Sequence, residues 1–197
     1  MVFPPGGLYF SAVLRPDFDL DRYPLIGYAM ALAISDVLGD LGIEAKIKWP
    51  NDLLVHGKKI AGILAEAKVY VILGVGVNVN IARFPNYLES ATSVSIEVGK
   101  EVGPKWLLEL IMDRFWNFYG MVSTEGGPWE LVDLIKSRSS LIGKVVEVDL
   151  GGDFAAGVAD IDEMGRLVIT GDGGSRVIEA GDVTKVTKVT KVKEFRD

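Results

Sequence analysis

The chain contains no cysteine and a single histidine among its 197 residues. The absence of cysteine excludes thiol catalysis, disulfides and metal sites built from thiolates. One histidine excludes a multi-histidine metal centre within one chain, and it excludes a pair of histidines acting as acid and base. Lysine, carboxylates, backbone amides and a hard metal ion remain as the groups that can carry chemistry.

The sequence also lacks a long apolar run and a signal-peptide pattern. A membrane helix needs about 18 consecutive apolar residues, and the most apolar helical segment, 25–41, is interrupted by Asp36 and Asp40. The first residues do not follow the charged-then-apolar plan of a signal peptide. We therefore expect a cytoplasmic protein with no membrane partner.

Acidic residues are in modest excess over basic residues. The chain has 27 acidic and 21 basic residues and a net charge of −6, which argues against a broad surface for nucleic acid. Hydrophobic residues make up 49% of the chain and the mean hydropathy is +0.27, which predicts a folded protein with a substantial core. Because this apolar content is high for a monomer, we expect a homodimer.

The order of predicted elements indicates an α+β fold. Runs of β-branched and aromatic residues bounded by turn residues predict five strands, at 7–14, 45–49, 52–55, 59–67 and 70–80. Apolar periodicity and helix-ending residues predict three helices, at 23–41, 104–119 and 128–139. The last of the five strands is apolar on both faces at its start, which is typical of a central strand. We expect a mixed sheet flanked by helices, in a domain of residues 1–140.

The character of the chain changes after Leu141. Short strands separated by glycine-rich turns are predicted at 144–150, 155–160, 167–170 and 176–180. Their spacing predicts a small antiparallel β-barrel as a second domain, residues 141–197. We expect the stretch 183–192, with its repeated Val-Thr-Lys, to be an edge strand that frays into solvent.

The predicted helix 104–119 contains four aromatic residues. They are Trp106, Phe115, Trp116 and Phe118. An aromatic stripe on a helix is more often a core face than a cofactor site. We expect this stripe to pack between helix and sheet.

A cation stands near the end of the predicted strand 45–49. Alternation places Lys46 and Lys48 on one face of that strand, Pro50 ends it, and Asn51 and Asp52 form a polar corner. A lysine on the solvated face of an edge strand is the ordinary interpretation. A preorganised ammonium beside such a corner is also suited to hold a phosphate or carboxylate as charge develops on it. Lys48 and Asn51 are therefore candidate site residues.

The segment 74–80 has the sequence GVGVNVN. Alternation puts Gly74, Gly76, Asn78 and Asn80 on one face of a strand and three valines on the other. Such a face of bare backbone and amides admits a flat ligand and hydrogen-bonds its edge, and the alternative is a strand closely crossed by a helix. Gly62 on the neighbouring hairpin indicates similar room. The segment is neither a dinucleotide-binding fingerprint nor a P-loop.

Other polar residues of the hairpin have less specific interpretations. His56 lies beside Gly57 and is predicted to be a turn residue. Asp52 and Glu66 are candidates for Mg²⁺ ligands or for partners of neighbouring lysines.

Four segments of the chain resemble the biotin protein ligases, also called biotin–[acetyl-CoA-carboxylase] ligases. In family order they are PPGGLYFS at 4–11, KWPND at 48–52, KKIAGILAE at 58–66 and GVGVNVN at 74–80, with ATS at 91–93. The resemblance implies a class II synthetase-like and biotin ligase-like sheet with a small C-terminal barrel. It implies an enzyme that uses ATP and Mg²⁺ to convert biotin into biotinyl-5′-AMP. The partner it implies is a biotin carboxyl carrier protein domain, whose lysine then takes the biotin.

The resemblance also implies roles for individual residues. Lys48 matches the lysine that touches the biotin carboxyl and the α-phosphate. Asn78 matches the residue that recognises the adenine edge, and Gly62, Gly74 and Gly76 match the backbone lining the biotin slot. The metal ligands are not identified by the resemblance.

The chain departs from the family pattern at its beginning. Family members carry a longer N-terminal stretch with a Gly-Arg-Gly-Arg-x-Gly-Arg loop that closes over biotin and the phosphates, whereas here Met1 stands just before Pro4. We expect either an N-terminally truncated gene model or a second polypeptide that completes the site. The alternatives are a relative of lipoate–protein ligase, which the KWPND segment disfavours, and a non-catalytic binding module.

Overall fold

A computed structural model describes residues 4–67, 70–85, 90–171, 173–178 and 181–187. Within these residues the chain forms two antiparallel sheets and four α-helices, the α+β fold that the sequence predicts. The first sheet contains β1 (Gly7–Leu14), β2 (Lys46–Lys48), β3 (Asp52–Val55), β4 (Lys58–Ala67) and β5 (Val71–Asn78). The helices are α1 (Tyr23–Asp40), α2 (Val94–Val98), α3 (Pro104–Ser123) and α4 (Gly127–Arg138). The second sheet contains β6 (Val145–Asp149), β7 (Phe154–Ile161), β8 (Leu167–Gly171), β9 (Gly174–Ile178) and β10 (Asp182–Thr187).

The first sheet has the strand order β1-β5-β4-β3-β2. Its strands pair antiparallel, whereas the sequence predicts a mixed sheet. Strands β2 to β5 follow one another as neighbours along the sheet, and strands joined in this way pair antiparallel. Parallel pairing is confined to two single bridges, Ile47 with Ser139 and Lys59 with Ala91, in the part of the chain that is described.

The helices cover one face of this sheet. Helix α1 lies on β2, β3 and β4, and α3 and α4 pack against α1 from outside. Because α1 is enclosed between the sheet and the outer helices, twelve of its eighteen residues are buried. Alanines at positions 29, 31 and 33 allow this close approach on more than one side.

The aromatic residues of α3 do not form a helix-to-sheet core. Phe115 is fully buried, but Trp106 and Trp116 are 47% and 51% exposed. The expectation is wrong for the two tryptophans because α3 packs mainly on α1 and α4. Its outer face is thus left to solvent.

Strand β5 is central, as predicted, but it is buried on one face only. Val71, Leu73, Val75 and Val77 face the helices and are buried, while Ile72 on the other face is 45% exposed. Apolar sequence on both faces predicts cover on both faces, and here the helices lie on one side. The opposite face of the sheet is open.

The turn between β3 and β4 agrees with the sequence. His56 and Gly57 both have positive φ angles, 50° and 79°, which is the backbone of a tight hairpin turn. The exposed His56 is thus a turn residue, as predicted.

The C-terminal strands form the expected small antiparallel unit, in the order β10-β6-β7-β8-β9. Strand β10 stands at one end of that order, in agreement with an edge strand, and residues 188–192 of the predicted tail lie outside the described residues. A closed barrel and a domain boundary at residue 140 stay predictions.

The second sheet is attached to the helices that cover the first sheet through side-chain contacts. The buried Tyr28 hydroxyl of α1 donates a hydrogen bond of 2.9 Å to the Gly165 carbonyl, in the β7–β8 turn. Lys136 at the end of α4 forms an ion pair of 3.0 Å with Asp160. No helix in the described part of the chain is long and apolar enough to cross a membrane.

Candidate active site

The open face of the first sheet carries a cleft of about 710 Å³. Its floor comes from β1, β4 and β5, and its far ends from the Pro4 region, the corner at Asn51 and the segment near Ala91. The lining is more apolar than polar, with few charged groups, which is typical of a small-molecule site. The helices lie on the opposite face of the sheet from this cleft.

One row of paired residues crosses all five strands on this face. Tyr9 pairs with Gly76, Gly76 with Gly62, Gly62 with Asp52, and Asp52 with Lys48. Directly paired residues of antiparallel strands point to the same side of a sheet. The row therefore places an aromatic ring, two bare glycines, a carboxylate and a lysine side by side.

Lys59 enters the cleft because β4 contains a bulge. The register shifts between Leu53 and Leu54, so Leu53 pairs with Ala61 and Leu54 with Lys59. Ile60 and Ala61 are both buried as a result, and the bulge turns Lys59 to the open face. Strict alternation would have placed Lys59 on the helix side.

Lys59 and Asp52 form the charged group of the cleft. The Lys59 ammonium lies 2.5 Å from Asp52 Oδ1, a buried oxygen that has no hydrogen-bond partner besides this ion pair among the described residues. A Cβ on Gly62 would lie 3.0 Å from Cε and 3.1 Å from Nζ of Lys59. Gly62 thus provides the space through which the lysine reaches Asp52.

Lys48 lies one strand further out, on the edge strand β2, and is half-buried. It belongs to the same row as Asp52, but the lining of the cleft, as far as the described residues define it, does not include Lys48. Asn51 does line the cleft and is exposed. The structure thus brings Asn51 to the site and leaves Lys48 beside it.

The two predicted glycines of β5 line the cleft in different ways. A Cβ on Gly76 would lie 3.3 Å from Cδ1 of Tyr9, so this glycine accommodates the tyrosine ring. The nearest atoms to a Cβ on Gly74 belong to Leu64, at 3.7 and 3.9 Å. Gly74 is therefore the bare part of the floor.

Tyr9 is a lining residue that the sequence pattern does not single out. Its hydroxyl donates to the Pro4 carbonyl at 3.2 Å, and partial burial raises the pKa of the hydroxyl above its ordinary value. The phenol therefore stays a neutral donor at physiological pH. A Cβ on Gly7 would overlap the Tyr9 ring, so the ring folds back over this glycine. Two glycines just before an aromatic residue, as in GGLY, are the sequence signal for such a ring.

Asn78 is the last residue of β5, and part of its side chain is already engaged in hydrogen bonds. Its amide nitrogen donates to the carbonyl of Thr92 at 2.9 Å and to that of Lys59 at 3.3 Å. The remaining hydrogen-bonding atom of the side chain is its amide oxygen, an acceptor. Asn78 can thus accept a hydrogen bond from a ligand amino group.

Asn80 does not contribute to the cleft. Its amide makes a two-way bond with the main chain of Val102, donating at 2.8 Å and accepting at 3.0 Å. Its own N–H donates to the Gly6 carbonyl at 2.7 Å. Asn80 thus holds the N-terminal turn and the start of α3 together, where alternation alone would give it the same role as Asn78.

The carboxylates proposed for a metal do not come together. Glu66 lies four residues beyond Gly62 on β4, roughly 13 Å along the strand from the Asp52 row. Among the described residues, no group of three or more His, Cys, Asp or Glu side chains is arranged to hold a metal ion. Asp52 is the carboxylate of the cleft.

Comparisons with known proteins agree with this geometry. Residues 1–78 match the Biotin/lipoate A/B protein ligase family. The bifunctional ligase/repressor BirA of Bacillus subtilis is 33% identical over 190 residues, and the chain spans 58% of its length. The biotin–[acetyl-CoA-carboxylase] ligase of Paracoccus denitrificans is 31% identical over 196 residues, covering 92% of this chain and 81% of the relative.

A solved structure shows the same likeness in three dimensions. The biotin protein ligase of Aquifex aeolicus, solved in complex with biotin and ATP, has a TM-score of 0.80 and 29% identity. The match covers 89% of this chain and 76% of that one. With four sequence segments, the fold and the relatives in agreement, the chain belongs to the biotin protein ligase family.

Proposed function

We propose that this protein joins biotin to a carrier-protein lysine in an ATP-dependent reaction through biotinyl-5′-AMP. The observation that carries the proposal is the placement of Lys59 and Asp52 at the edge of a bare glycine floor, with the Asn78 side chain next to the Lys59 main chain. The Aquifex aeolicus relative has been solved with biotin and ATP. A floor of this kind suits a flat, largely apolar acid lying next to a nucleotide.

The first step joins two anions. A carboxylate oxygen of biotin attacks the α-phosphorus of ATP, the new P–O bond forms, and pyrophosphate leaves with the electron pair of the broken bond. A fixed cation between the reactants offsets their repulsion and the charge that grows in the transition state. In the second step the amine of the carrier lysine attacks the acyl carbon, an amide forms and AMP leaves.

Lys59 is the lysine that the geometry favours for this role. It lines the cleft, its ammonium is held by Asp52, and Gly62 leaves room for its chain. The sequence resemblance gives the same role to Lys48, which lies on the edge strand beside the cleft. We propose that Lys59 contacts the reacting carboxylate and phosphate, and that Lys48 adds positive potential from outside.

Asn78 and Mg²⁺ complete the proposed site. The amide oxygen of Asn78, an acceptor, suits the amino group of adenine. Magnesium ions usually bind through one or two carboxylates together with substrate phosphates, and Asp52 fits that donor set. Bound with ATP, Mg²⁺ would neutralise phosphate charge.

Partner proteins are part of the proposal. We propose a biotin carboxyl carrier protein domain as substrate and a homodimer as the assembled form, in the cytoplasm. Exposed apolar side chains support a protein partner on the open face, since Val13, Leu64 and Ile72 continue along the sheet from the cleft floor. A second polypeptide that supplies the family's arginine loop stays a proposal as well.

The test compares two lysine variants. The purified chain is incubated with biotin, ATP and Mg²⁺, and biotinyl-AMP is quantified, with lipoate in place of biotin as a parallel reaction. Lys59→Ala is expected to lower the initial rate by about 100-fold or more, and Lys48→Ala by less than about fivefold.

Each alternative has its own outcome in this assay. A large loss in Lys48→Ala with little loss in Lys59→Ala would return the role to Lys48. Adenylate formed from lipoate and not from biotin would establish a lipoate enzyme. Biotin binding without any adenylate from the wild-type chain would favour a non-catalytic binding module.

A further inference from the structure

The main chain of Lys59 is held by a segment outside the sheet. Its N–H donates to the Ser90 carbonyl at 2.7 Å, and its carbonyl accepts from the Thr92 N–H at 2.9 Å. Between them, Ala91 forms a parallel bridge with Lys59. Residues 90–92 thus take the place beside β4 that β5 occupies further along the strand.

Asn78 joins this segment to Lys59. Its side-chain nitrogen donates to both the Lys59 carbonyl and the Thr92 carbonyl, at 3.3 and 2.9 Å. It can do so because the bulge removes the side chain that would otherwise stand opposite: Ala61 pairs with Val77, and the next residue of β4, Ile60, points into the core. The last residue of β5 therefore meets main chain instead of a side chain.

These contacts affect the direction in which the Lys59 side chain extends. A bulge interrupts the regular ladder, so the hydrogen bonds around it help to hold it in place, together with the burial of Ile60 and Ala61. The direction of the Lys59 side chain follows from the orientation of its main chain, which Asn78 and residues 90–92 help to set. The ion pair with Asp52 needs that direction.

We infer that Asn78 is a positioning residue for Lys59, acting through the Lys59 main chain before any nucleotide is bound. Its catalytic consequence rests on the proposed function, whereas its effect on Lys59 does not. An amide that recognises only the nucleotide would leave the lysine unaffected in the free protein. An amide that positions the lysine changes the free protein and its complex with the acid alone.

The first experiment measures Lys59 directly, with no ligand present. The wild-type chain, Asn78→Ala and Asn78→Asp are treated with an amine-acetylating reagent. Acetylation of Lys59 and of its neighbour Lys58, which are both exposed, is followed by peptide mass spectrometry. An amine held against a carboxylate must leave its partner to react. The Lys59-to-Lys58 rate ratio is expected to rise by about threefold or more in both variants.

The matched control is Asn80→Ala, which removes an amide two residues further along that bonds Val102 instead of Lys59. Its ratio is expected to stay at the wild-type value, and circular dichroism checks that each variant is folded. A wild-type ratio in both Asn78 variants would overturn the inference. A rise of the same size in Asn80→Ala would also overturn it, because general loosening would then explain the effect.

The second experiment measures biotin affinity without nucleotide. Asn78→Ala is expected to weaken biotin binding by about fivefold or more, and to have no further effect in a Lys59→Ala background. Wild-type affinity in Asn78→Ala would contradict the inference. A wild-type chain that binds no biotin would contradict the proposed function instead, and the acetylation result would still decide the role of Asn78.

Discussion

At the scale of a single residue, Gly62 controls how far the Lys59 side chain extends into the cleft. An added Cβ would meet Cε and Nζ of Lys59 at 3.0 and 3.1 Å and Asp52 Oδ1 at 3.5 Å. These lysine atoms are the far end of a flexible side chain, so the fold can adjust while the ammonium is displaced. Gly62→Ala is expected to lower the rate of adenylate formation by about tenfold, with a thermal midpoint close to wild type.

Gly74→Ala is the matched control for this prediction. Its Cβ would make ordinary contacts with Leu64, at 3.7 and 3.9 Å, and lies on the bare floor instead of beside the lysine. The KM for biotin is expected to rise while the rate at saturating biotin stays near wild type, because the added methyl occupies ligand space. Steady-state kinetics of both variants separate the two effects, and equal losses of rate would contradict the assignment of Gly62 to the lysine.

At the scale of an element, helix α3 buries one of two adjacent aromatic residues and leaves the other exposed. Phe115 is fully buried and Trp116 is 51% exposed, although their rings are in contact at 5.2 Å between centroids. Phe115→Ala is expected to lower the free energy of unfolding by about 3–5 kcal/mol, and Trp116→Ala by about 1–2 kcal/mol. Urea denaturation measures both, and a larger loss at Trp116 would mean that another chain or element covers it.

The hairpin of β3 and β4 can be predicted from local sequence, but the bulge in β4 cannot. The hairpin, its turn at His56-Gly57 and the two strands follow from local sequence, because turn residues and alternation act over a few positions. The bulge depends on burying Ile60 and Ala61 together against α1, which is a tertiary contact.

The attachment between the two sheets belongs to the whole molecule. Tyr28 lies in α1 and its partner Gly165 lies in the turn between β7 and β8. Tyr28→Phe leaves the Gly165 carbonyl without this donor, and the expected loss of unfolding free energy is about 1–2 kcal/mol. Tyr70→Phe, in an exposed tyrosine that bonds Arg15, is expected to cost less than about 0.5 kcal/mol in the same denaturation experiment.

The raised pKa of Tyr28 predicts how the free energy of unfolding changes at alkaline pH. Burial, and then the charge of Asp162, raise the pKa of Tyr28 far above its ordinary value. A raised folded-state pKa gives a contribution that is fully present below the unfolded-state pKa of about 10 and is lost as pH rises above it. The stability advantage of wild type over Tyr28→Phe is therefore expected to be constant from neutral pH to about pH 9 and to shrink above about pH 10. An advantage that grows with alkaline pH would contradict this linkage.

Local sequence accounts for most of the fold and for the family. The five strands of the first sheet, the helices at 23–41, 104–119 and 128–139, and the short C-terminal strands all appear in the structure within a few residues of their predicted ends. Each depends on periodicity and turn chemistry, which are written in neighbouring residues. The motif at 74–80 likewise predicts a face of bare backbone, and in the structure Gly74 and Gly76 line the cleft.

The sequence by itself determined the elements, the family and the residue types available for chemistry. Tertiary structure decided which of those residues meet. It left one face of the sheet open because α1 packs on the other face and α3 and α4 pack against α1. It brought Lys59 to Asp52 through a bulge that strict alternation does not contain, and it separated Asn78 from Asn80 by the segments each one holds. Such choices depend on contacts between residues distant in the chain, so no local pattern records them.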